Sequence, residues 1–266
     1  MSGMPNAHAR WIAFTREVSP TIVDCELTHL ARTPIDVATA RAQHQAYERL
    51  LASLGCDVRR VPAAPQYPDA VFIEDAAVVF DEIAVITRPG AESRRDETAA
   101  VEAALGALRP VAHITAPGTL DGGDVLSVGR SVFVGRTDRT NLEGISQLRA
   151  AIAPHGYTVR GIDVTGCLHL KTAVTAVDDT TVLLNPDWVD PAVFARFRVI
   201  EVDPLEPMGA NVLRIGEHLV YGASYPRTQA RLEQLGYALR TVDASELAKA
   251  EGAVTCCSVV VRGWAR

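Results

Sequence analysis

The order of hydrophobic and polar positions repeats along the chain. Two short stretches with alternating apolar and polar residues are followed by a longer stretch with a period of 3.6 residues. This pattern predicts a strand, a tight turn, a second strand, an amphipathic helix and a short third strand. The pattern recurs about every 40–50 residues, which is typical of a protein built from repeated units.

Four copies of this unit lie within the chain. The first has predicted strands at 72–80 and 83–87 and a predicted helix at 98–108. The next three begin at Leu120, Leu168 and Gly209. Their predicted helices lie at 141–153, just after Pro191, and at 226–235.

A fifth copy is split between the two ends of the sequence. Residues 255–261 supply its first strand, residues 10–15 the partner strand, and residues 38–54 the helix. Pairing of the terminal strands would close a ring and leave no free sheet edge. We therefore expect an α/β fold, a five-bladed α/β propeller of ββαβ repeats with pseudo-five-fold symmetry, as one domain over residues 1–266.

Composition and charge narrow the class of protein. Of the 266 residues, 48% are hydrophobic and 22% charged, as in ordinary globular chains. The net charge of −6 gives no positive field that would attract nucleic acid or an acidic membrane surface. The first ten residues lack the apolar core of a signal peptide, and no apolar run approaches the roughly 18 residues that span a bilayer. We expect a cytoplasmic protein with neither a nucleic-acid nor a membrane partner.

The five cysteines are odd in number and scattered apart from one adjacent pair, which makes a poor disulfide framework for a chain of this size. They are therefore expected to be thiols. No Cys-x-x-Cys or His-x-x-x-His spacing indicates a metal site, so any special cysteine would act as a nucleophile.

Reactive residue types occupy equivalent positions at the start of the repeats. If the first strands surround one axis, these residues meet there. They are Glu74, Asp75, Asp121, Asp124, His169, Asn211, Cys256 and Cys257. A thiol, a histidine and several carboxylates suit nucleophilic chemistry on a cationic substrate.

Some of these residues also have a purely structural interpretation. Adjacent strand residues face opposite sides, so only one of Cys256 and Cys257 can face the pocket, and we assign Cys257 to the core. His169 could be an ordinary core histidine, but its repeat-equivalent position favours a functional role. The Asp-Gly-Gly-Asp segment at 121–124 could be a turn with glycines at positive φ. The acidic pair at 74–75 lies in a predicted apolar strand, where it requires a cationic ligand or an internal salt bridge.

Two arginine-rich loops, 88–95 and 136–141, occupy corresponding positions in adjacent repeats. Such arginines usually lie on the solvated surface, but a pair of them near one pocket mouth could bind a carboxylate. The pocket would then be acidic at its base and basic at its rim. This polarity suits a small-molecule substrate, namely an amino acid with a cationic side chain.

Five motifs, spread over nearly the whole chain, resemble those of the dimethylarginine dimethylaminohydrolases. They are Phe-Ile-Glu-Asp at 72–75, Thr-Arg-Pro-Gly-Ala at 87–91, Leu-Asp-Gly-Gly-Asp at 120–124, Leu-His-Leu-Lys at 168–171 and Thr-Cys-Cys-Ser at 255–258. The resemblance implies the propeller of guanidino-group-modifying enzymes. It also implies hydrolysis of methylated arginine to citrulline and methylamine or dimethylamine, through a covalent thiouronium and without a cofactor.

The resemblance further implies roles for individual residues. Cys256 would be the nucleophile, His169 the general acid/base, and Asp121 the carboxylate that orients His169. Asp75, with Glu74 beside it, would hold the guanidinium. The implied contacts to the rest of the substrate are Arg94 and Arg139 for the α-carboxylate, and Asp69 and the Leu27 backbone for the α-amino group. Leu27 lies in the segment 19–33, which departs from the family pattern and is expected to be a mobile loop over the site.

Alternative functions share this set of residues. Arginine deiminase and arginine dihydrolase act on free arginine, but the chain lacks the helical insertion of typical deiminases. An amidinotransferase would pass the amidino group to a second amine. A non-enzymatic propeller of the kind that prevents ribosomal subunits from joining would not need the axial cysteine, histidine and carboxylates, and the negative charge argues against it. The sequence leaves a homodimer open.

Overall fold

The computed structural model describes residues 11–263, and in this range fifteen strands form five three-stranded sheets. The strands are β1 (Trp11–Thr15), β2 (Cys56–Arg60), β3 (Ala77–Val79), β4 (Ala84–Ile86), β5 (Val111–His113), β6 (Val125–Val128), β7 (Ser131–Arg136), β8 (Thr158–Asp163), β9 (Val174–Ala176), β10 (Thr181–Leu184), β11 (Arg198–Glu201), β12 (Val212–Ile215), β13 (His218–Gly222), β14 (Ala238–Val242) and β15 (Val259–Arg262). The α-helices are α1 (Val37–Ser53), α2 (Thr98–Gly106), α3 (Leu142–Ile152), α4 (Leu170–Ala173), α5 (Pro226–Gln234) and α6 (Ser245–Ala248).

All five sheets have the same topology. The first strand is antiparallel to the second, and the second is parallel to the third, which returns after a crossover segment. The crossover is a helix in four units and the 3-10 turn Pro191–Phe194 in the unit β9–β10–β11. The predicted ββαβ repeat and the five-bladed α/β propeller are therefore confirmed.

The sheet β15–β1–β2 joins the two ends of the described chain. Trp11 pairs with Arg262 and Phe14 with Val259 in antiparallel register, while β2 pairs with β1 in parallel. The predicted partner strand began at residue 10, which lies outside the described residues. Both strands flanking β1 therefore saturate its backbone hydrogen bonds.

The hydrophobic core of residues 11–263 is divided into five clusters, one between each pair of neighbouring sheets. In one cluster Ile12 and Val261 of the terminal sheet pack against Ile86 and Leu105 of the next unit. The other four clusters link the remaining neighbours, and the last joins the sheet β12–β13–β14 back to β1 and α1. Since every sheet is buried against two others, the ring is closed by packing as well as by strand pairing.

The axis of the ring is a cavity rather than a packed core. Its volume is about 310 Å³, and residues from all five first strands, β3, β6, β9, β12 and β15, line it. Within the described residues no helix combines the length and the apolar character needed to cross a membrane.

The helices lie close to their predicted positions. The Asp36 side chain caps α1 by accepting a hydrogen bond from the Thr39 N–H (2.7 Å), and Asn141 caps α3 through the Gly144 N–H (2.8 Å). Helix α5 begins with Pro226, a residue that suits the first helical turn.

The predicted starts of the first strands are wrong. Residues expected to begin strands form tight turns instead, including the 3-10 turns Ile73–Ala76 and Gly122–Asp124 and the short helix α4. Each strand begins only after its turn: β3 at Ala77, β6 at Val125 and β9 at Val174, while β15 begins at Val259 after the turn 255–258. Short apolar runs are equally compatible with a buried turn and a buried strand, so hydrophobicity alone does not distinguish them.

Candidate active site

Four tight turns carry the reactive side chains, and each turn lies immediately before the first strand of one sheet. In each turn the N–H of one residue donates to the carbonyl three residues earlier. The pairs are Asp75 with Phe72, Asp124 with Asp121, Thr172 with His169, and Ser258 with Thr255. Because the turns are equivalent in the repeat, they converge near the ring axis and place their side chains together.

A small pocket lies where these turns meet. Six residues singled out from the sequence line it: Cys256, His169, Asp75, Asp69, Arg94 and Arg139. The remaining lining residues are Glu26, Phe72, Leu168, Ala250, Glu251 and Gly252. The pocket encloses about 20 Å³, which is enough for about one water molecule. An amino acid of the size of arginine therefore enters only if part of the wall moves.

His169 is held from both sides by carboxylates. Its Nε2 donates to Oδ2 of the fully buried Asp121 (3.0 Å), and its Nδ1 lies 3.9 Å from Oδ1 of Asp75. The second oxygen of Asp121 accepts the Gly90 N–H (2.9 Å), which fixes the carboxylate. The imidazole therefore presents Nδ1 towards Asp75 and the pocket.

The charge around His169 determines its protonation state. Burial alone would lower the pKa of His169, but the negative charges of Asp75, Asp124 and Asp121 outweigh burial and raise the pKa from 6.5 to about 9. The imidazole is therefore protonated at neutral pH, and it is a proton donor in the free protein.

Asp75 keeps its negative charge despite its burial. Its Oδ1 accepts the Gly123 N–H (2.9 Å) and its Oδ2 accepts from Arg94 (2.6 Å). Burial would raise the pKa of Asp75, but His169, Arg94 and the Gly123 N–H together lower it to about 2. The carboxylate is thus ionised throughout the neutral range.

Arg94 is enclosed by protein groups. Besides Asp75, its guanidinium donates to Glu97 (3.1 Å) and to the carbonyl of Phe72 (3.0 Å). Glu97 is 4% exposed, and it lies three residues after Arg94 in the 3-10 turn Glu92–Glu97. Sequence reasoning missed Glu97, although a carboxylate three residues from an arginine on a helical turn is a recognisable pairing.

The two cysteines have different surroundings. Cys256 is partly exposed to the pocket, whereas Cys257 is 2% exposed and its thiol donates to the carbonyl of Ala253 (3.5 Å). Burial and the negative charges of Glu74 and Asp75 raise the pKa of Cys256 to about 12. The free protein therefore holds this thiol in its protonated form.

Glu74 lies apart from the pocket. Its carboxylate accepts from Lys171 Nζ (2.5 Å) and from the Thr255 hydroxyl (2.9 Å), and its side chain lines the axial cavity. The internal salt bridge considered for the acidic pair is thus present at both residues, Glu74 with Lys171 and Asp75 with Arg94, and Asp75 alone of the two lines the pocket.

Asp69 and Arg139 contact the segment 19–33 at the pocket mouth. Oδ2 of Asp69 accepts the Glu26 N–H (3.1 Å), and Arg139 donates to the Thr28 hydroxyl (3.2 Å). Leu27 lies between these two contacts, with its side chain packed against the core cluster beside α1.

The two glycines of the 121–124 segment allow neighbouring groups to approach the backbone closely, and neither glycine is there to supply a positive φ. The segment does form a turn, but neither Gly122 nor Gly123 has a positive φ. A Cβ on Gly123 would lie 2.6 Å from His169 Nδ1 and 2.8 Å from Asp75 Oδ1, and one on Gly122 would overlap the carbonyl of Glu74. Glycine is needed because the neighbouring turns pack directly against this backbone.

Asp124 supports the site from behind His169. Its Oδ2 accepts from the hydroxyls of Thr137 and Thr140 (2.6 Å each), and its Oδ1 accepts the Leu170 N–H (3.0 Å). Burial raises the pKa of Asp124 to about 6 against the effect of these partners. Its position among the axial residues was evident from the repeat, but its contacts were not.

Among the described residues, Asp75, Asp121 and His169 are the one group with metal-ligand spacing, with ligand atoms within 4.8 Å of one another. Their atoms already bond to one another or to Arg94, Gly123 and Gly90. The arrangement fits acid/base chemistry beside a thiol better than metal binding.

Comparisons with known proteins agree with this arrangement. The arginine deiminase family model matches residues 65–210. The dimethylarginine dimethylaminohydrolase of Streptomyces coelicolor is 45% identical over 94% of this chain and 96% of its own. That of Pseudomonas aeruginosa is 37% identical over 87% of this chain and 91% of its own.

A solved structure resembles the whole fold. A cysteine-to-serine variant of the Pseudomonas aeruginosa enzyme in complex with citrulline superimposes with a TM-score of 0.90 and 34% sequence identity. It covers 95% of this chain and 99% of its own. On sequence identity and coverage together, this chain belongs to the dimethylarginine dimethylaminohydrolase family.

Proposed function

We propose that this protein hydrolyses Nω-methylated arginines to citrulline and methylamine or dimethylamine. The observation that carries the proposal is the meeting of the Cys256 thiol, the protonated His169 and the ionised Asp75 at one pocket. A nucleophile, a proton donor and an anion for a cationic group are what cleavage of a guanidinium C–N bond requires.

Asp75 receives the substrate guanidinium. Each of its oxygens accepts one hydrogen bond from the protein, and a carboxylate oxygen can accept two. A guanidinium N–H can therefore bind to Asp75 without displacing Gly123 or Arg94. The cation is then held beside the Cys256 thiol.

Substrate binding also activates the thiol. The carboxylates of Glu74 and Asp75 contribute to the high pKa of Cys256, and a cation placed next to them offsets their effect. The substrate thus lowers the pKa of its own nucleophile, and the thiol loses its proton to solvent to form the thiolate where it can attack.

The reaction proceeds in two steps. The Cys256 sulfur bonds to the central guanidinium carbon, and the C–N bond to the methylated nitrogen breaks as His169 supplies the proton that the departing amine needs. Water, deprotonated by the now neutral His169, adds to the thiouronium carbon. The C–S bond then breaks to release citrulline and regenerate the thiol, while Asp121 keeps the imidazole oriented throughout.

The remaining contacts bind the amino-acid end of the substrate. Arg139 and Arg94 meet the α-carboxylate, for which Arg94 would give up a bond to Asp75 or Glu97. Asp69 and the Leu27 carbonyl meet the α-amino group. Arg139 is the more available arginine, since its described hydrogen bond is to an exposed threonine of the segment 19–33.

We further infer that the enzyme works in the cytoplasm as one catalytic domain over residues 1–266, on a free small molecule and without a cofactor. Its five cysteines are free thiols, as a reducing compartment would keep them.

The direct test is to incubate the purified protein with asymmetric dimethylarginine and separately with arginine, and to assay citrulline, ornithine and the released amine. We expect citrulline and dimethylamine from the methylated substrate. Cys256→Ser should lower the rate by more than about 1,000-fold, because a hydroxyl is a far weaker nucleophile than a thiolate.

Cys257→Ser is the matched control. It should remain active, because this thiol lies in the core and away from the pocket; near-complete loss of activity in this variant would exchange the two roles. Turnover of arginine alone would point to a deiminase or dihydrolase. Silence with both substrates would overturn the proposal and favour a transferase or a non-enzymatic propeller.

A further inference from the structure

The segment 19–33 contributes Glu26 to the lining of the pocket and is held by side chains of the ring. We call this segment the lid. On one side of Leu27, Asp69 accepts the Glu26 N–H (3.1 Å), and Ser93 donates to the Glu26 carboxylate (2.8 Å). The other side of Leu27 is held by Glu251, whose side chain also lines the pocket.

Glu251 binds three successive backbone N–H groups of the lid. Its Oε1 accepts from His29 (2.6 Å) and Leu30 (2.7 Å), and its Oε2 accepts from Thr28 (3.0 Å). Three consecutive N–H groups that converge on one carboxylate form an anion-binding nest, and bonds to a charged acceptor are the stronger kind. This one side chain therefore fixes the whole bend at 28–30.

The backbone of Glu251 indicates that its side chain is needed there. Its φ is +58°, and it is the only non-glycine residue between 11 and 263 with a positive φ. It lies just after α6, where helices commonly end with glycine in this conformation. The next residue, Gly252, packs against the Phe72 ring so closely that a Cβ would overlap it, so the turn cannot easily shift. A strained glutamate in place of glycine points to a function for the carboxylate.

Leu27 is thus flanked by two residues whose N–H groups are held by carboxylates, Glu26 by Asp69 and Thr28 by Glu251. Within the described residues its own carbonyl accepts no hydrogen bond from the protein. The Thr28 N–H and the Leu27 carbonyl belong to one planar peptide unit and point in opposite directions, so the bond to Glu251 fixes the direction of this carbonyl, which remains available as an acceptor.

We propose that Glu251 is a positioning residue that holds the lid so that the Leu27 carbonyl meets the substrate α-amino group. This inference rests on the proposed function. Glu251 sets the preference for an amino-acid substrate over a simple alkylguanidine, because an alkylguanidine has no α-amino group to donate a hydrogen bond to the Leu27 carbonyl. Since the pocket must open for entry, Glu251 is also the contact that re-forms when the lid closes.

The test compares Glu251→Gln and Glu251→Gly with the parent protein. The first keeps the shape but loses the charge and one acceptor, and the second removes the contact while relieving the positive φ. Glu246→Gln is the matched control, because Glu246 also accepts a backbone N–H from this part of the chain (Asp36, 2.9 Å) but does not line the pocket.

The kinetic readout uses asymmetric dimethylarginine and an N,N-dimethyl-N′-butylguanidine. For both Glu251 variants we expect KM for the amino acid to rise about tenfold, which is about 1.4 kcal/mol, with kcat changed by less than about threefold. The kcat/KM of both Glu251 variants for the alkylguanidine should stay within about twofold of the parent value. The kcat/KM of E246Q for either substrate should also stay within about twofold of the parent value. An equal loss on both substrates would reduce Glu251 to general structural support and overturn the proposal.

A second readout does not depend on turnover. Hydrogen exchange of the Thr28, His29 and Leu30 amides should accelerate at least about tenfold in E251G and remain unchanged in E246Q. The melting temperature of E251G should not fall, since strain is relieved as the contact is lost. Unchanged exchange at these amides would overturn the proposal about Glu251. Inactivity of the parent protein on methylated arginine would instead count against the proposed function, so the two failures can be told apart.

Discussion

At the scale of single residues, chemical type matters less than surroundings. Cys256 and Cys257 are adjacent and identical in type, yet Cys256 lines the pocket near the carboxylates of Glu74 and Asp75, whereas Cys257 lies in the core. Likewise Glu74 is neutralised by Lys171 at the axial cavity, while Asp75 beside it faces His169. Neighbours in the sequence thus perform different tasks because consecutive side chains in a tight turn point in different directions.

The pH dependence of stability should report the charge on His169. Its folded-state pKa of about 9 exceeds the ordinary 6.5, so the charged imidazole stabilises the fold fully below pH 6.5. This contribution, at most about 3 kcal/mol, is lost as the pH rises through 9. We expect the free energy of unfolding, measured in urea, to fall between pH 6.5 and 9.5.

His169→Gln provides the comparison, because it cannot titrate and should show a flatter profile over the same pH range. Parallel profiles for the two proteins would mean that the folded-state pKa of His169 is not raised. An NMR titration of the imidazole in the parent protein, with a midpoint expected near 9, checks the same point directly.

At the scale of elements, the turns before four of the five first strands carry the candidate site residues. The helices and second strands could be predicted from periodicity, since amphipathic faces leave a clear pattern over ten or more residues. The turns could not, because a short, largely buried segment such as 72–76 is as compatible with a strand as with a turn. Repeat equivalence still located the site, but the contacts of Asp124, Glu97 and Glu251 depend on side-chain directions that periodicity does not contain.

Gly123 tests how closely these turns must pack. Gly123→Ala would place a Cβ 2.6 Å from His169 Nδ1, so the imidazole or the turn has to move. Since shifts of about 1 Å can lower rates about 100-fold, we expect a loss of that order in kcat, measured by citrulline formation. Gly106→Ala in α2 is the control, because its Cβ would meet only Val111 at 3.8 Å, and it should be neutral or stabilising. Full activity in the Gly123 variant would show that the turns tolerate separation.

At the scale of the whole molecule, the fold is a closed chain of five interfaces without a central core. Each sheet contributes to two hydrophobic clusters, so loss of one interface exposes faces on both neighbours. The ring geometry also explains why residues from distant parts of the sequence share one pocket. Unfolding should therefore be cooperative, in contrast to an open array in which repeats can separate one at a time.

Two neighbouring valines in β15 test the closing interface and the axis separately, because Val261 lies at the interface and Val260 at the axis. Val261 is 1% exposed and pairs with Ile12, whereas Val260 lines the axial cavity. Val261→Asp should lower the free energy of unfolding by roughly 3–5 kcal/mol, because it buries an unpaired charge. Val260→Asp should cost much less. Circular dichroism and tryptophan fluorescence should show one coincident transition for each protein; separate transitions in the Val261 variant would mean that the blades unfold independently.

The split blade has a consequence for the newly made enzyme. Chains are synthesised from the N-terminus, so Asp75, Asp121 and His169 leave the ribosome well before Cys256 and β15. The strand that completes the terminal sheet follows the nucleophile by only a few residues. During translation the chain therefore gains the Cys256 thiol almost at the moment when it gains the strand that closes the ring, and a prematurely terminated product carries His169 and the carboxylates but lacks the proposed nucleophile.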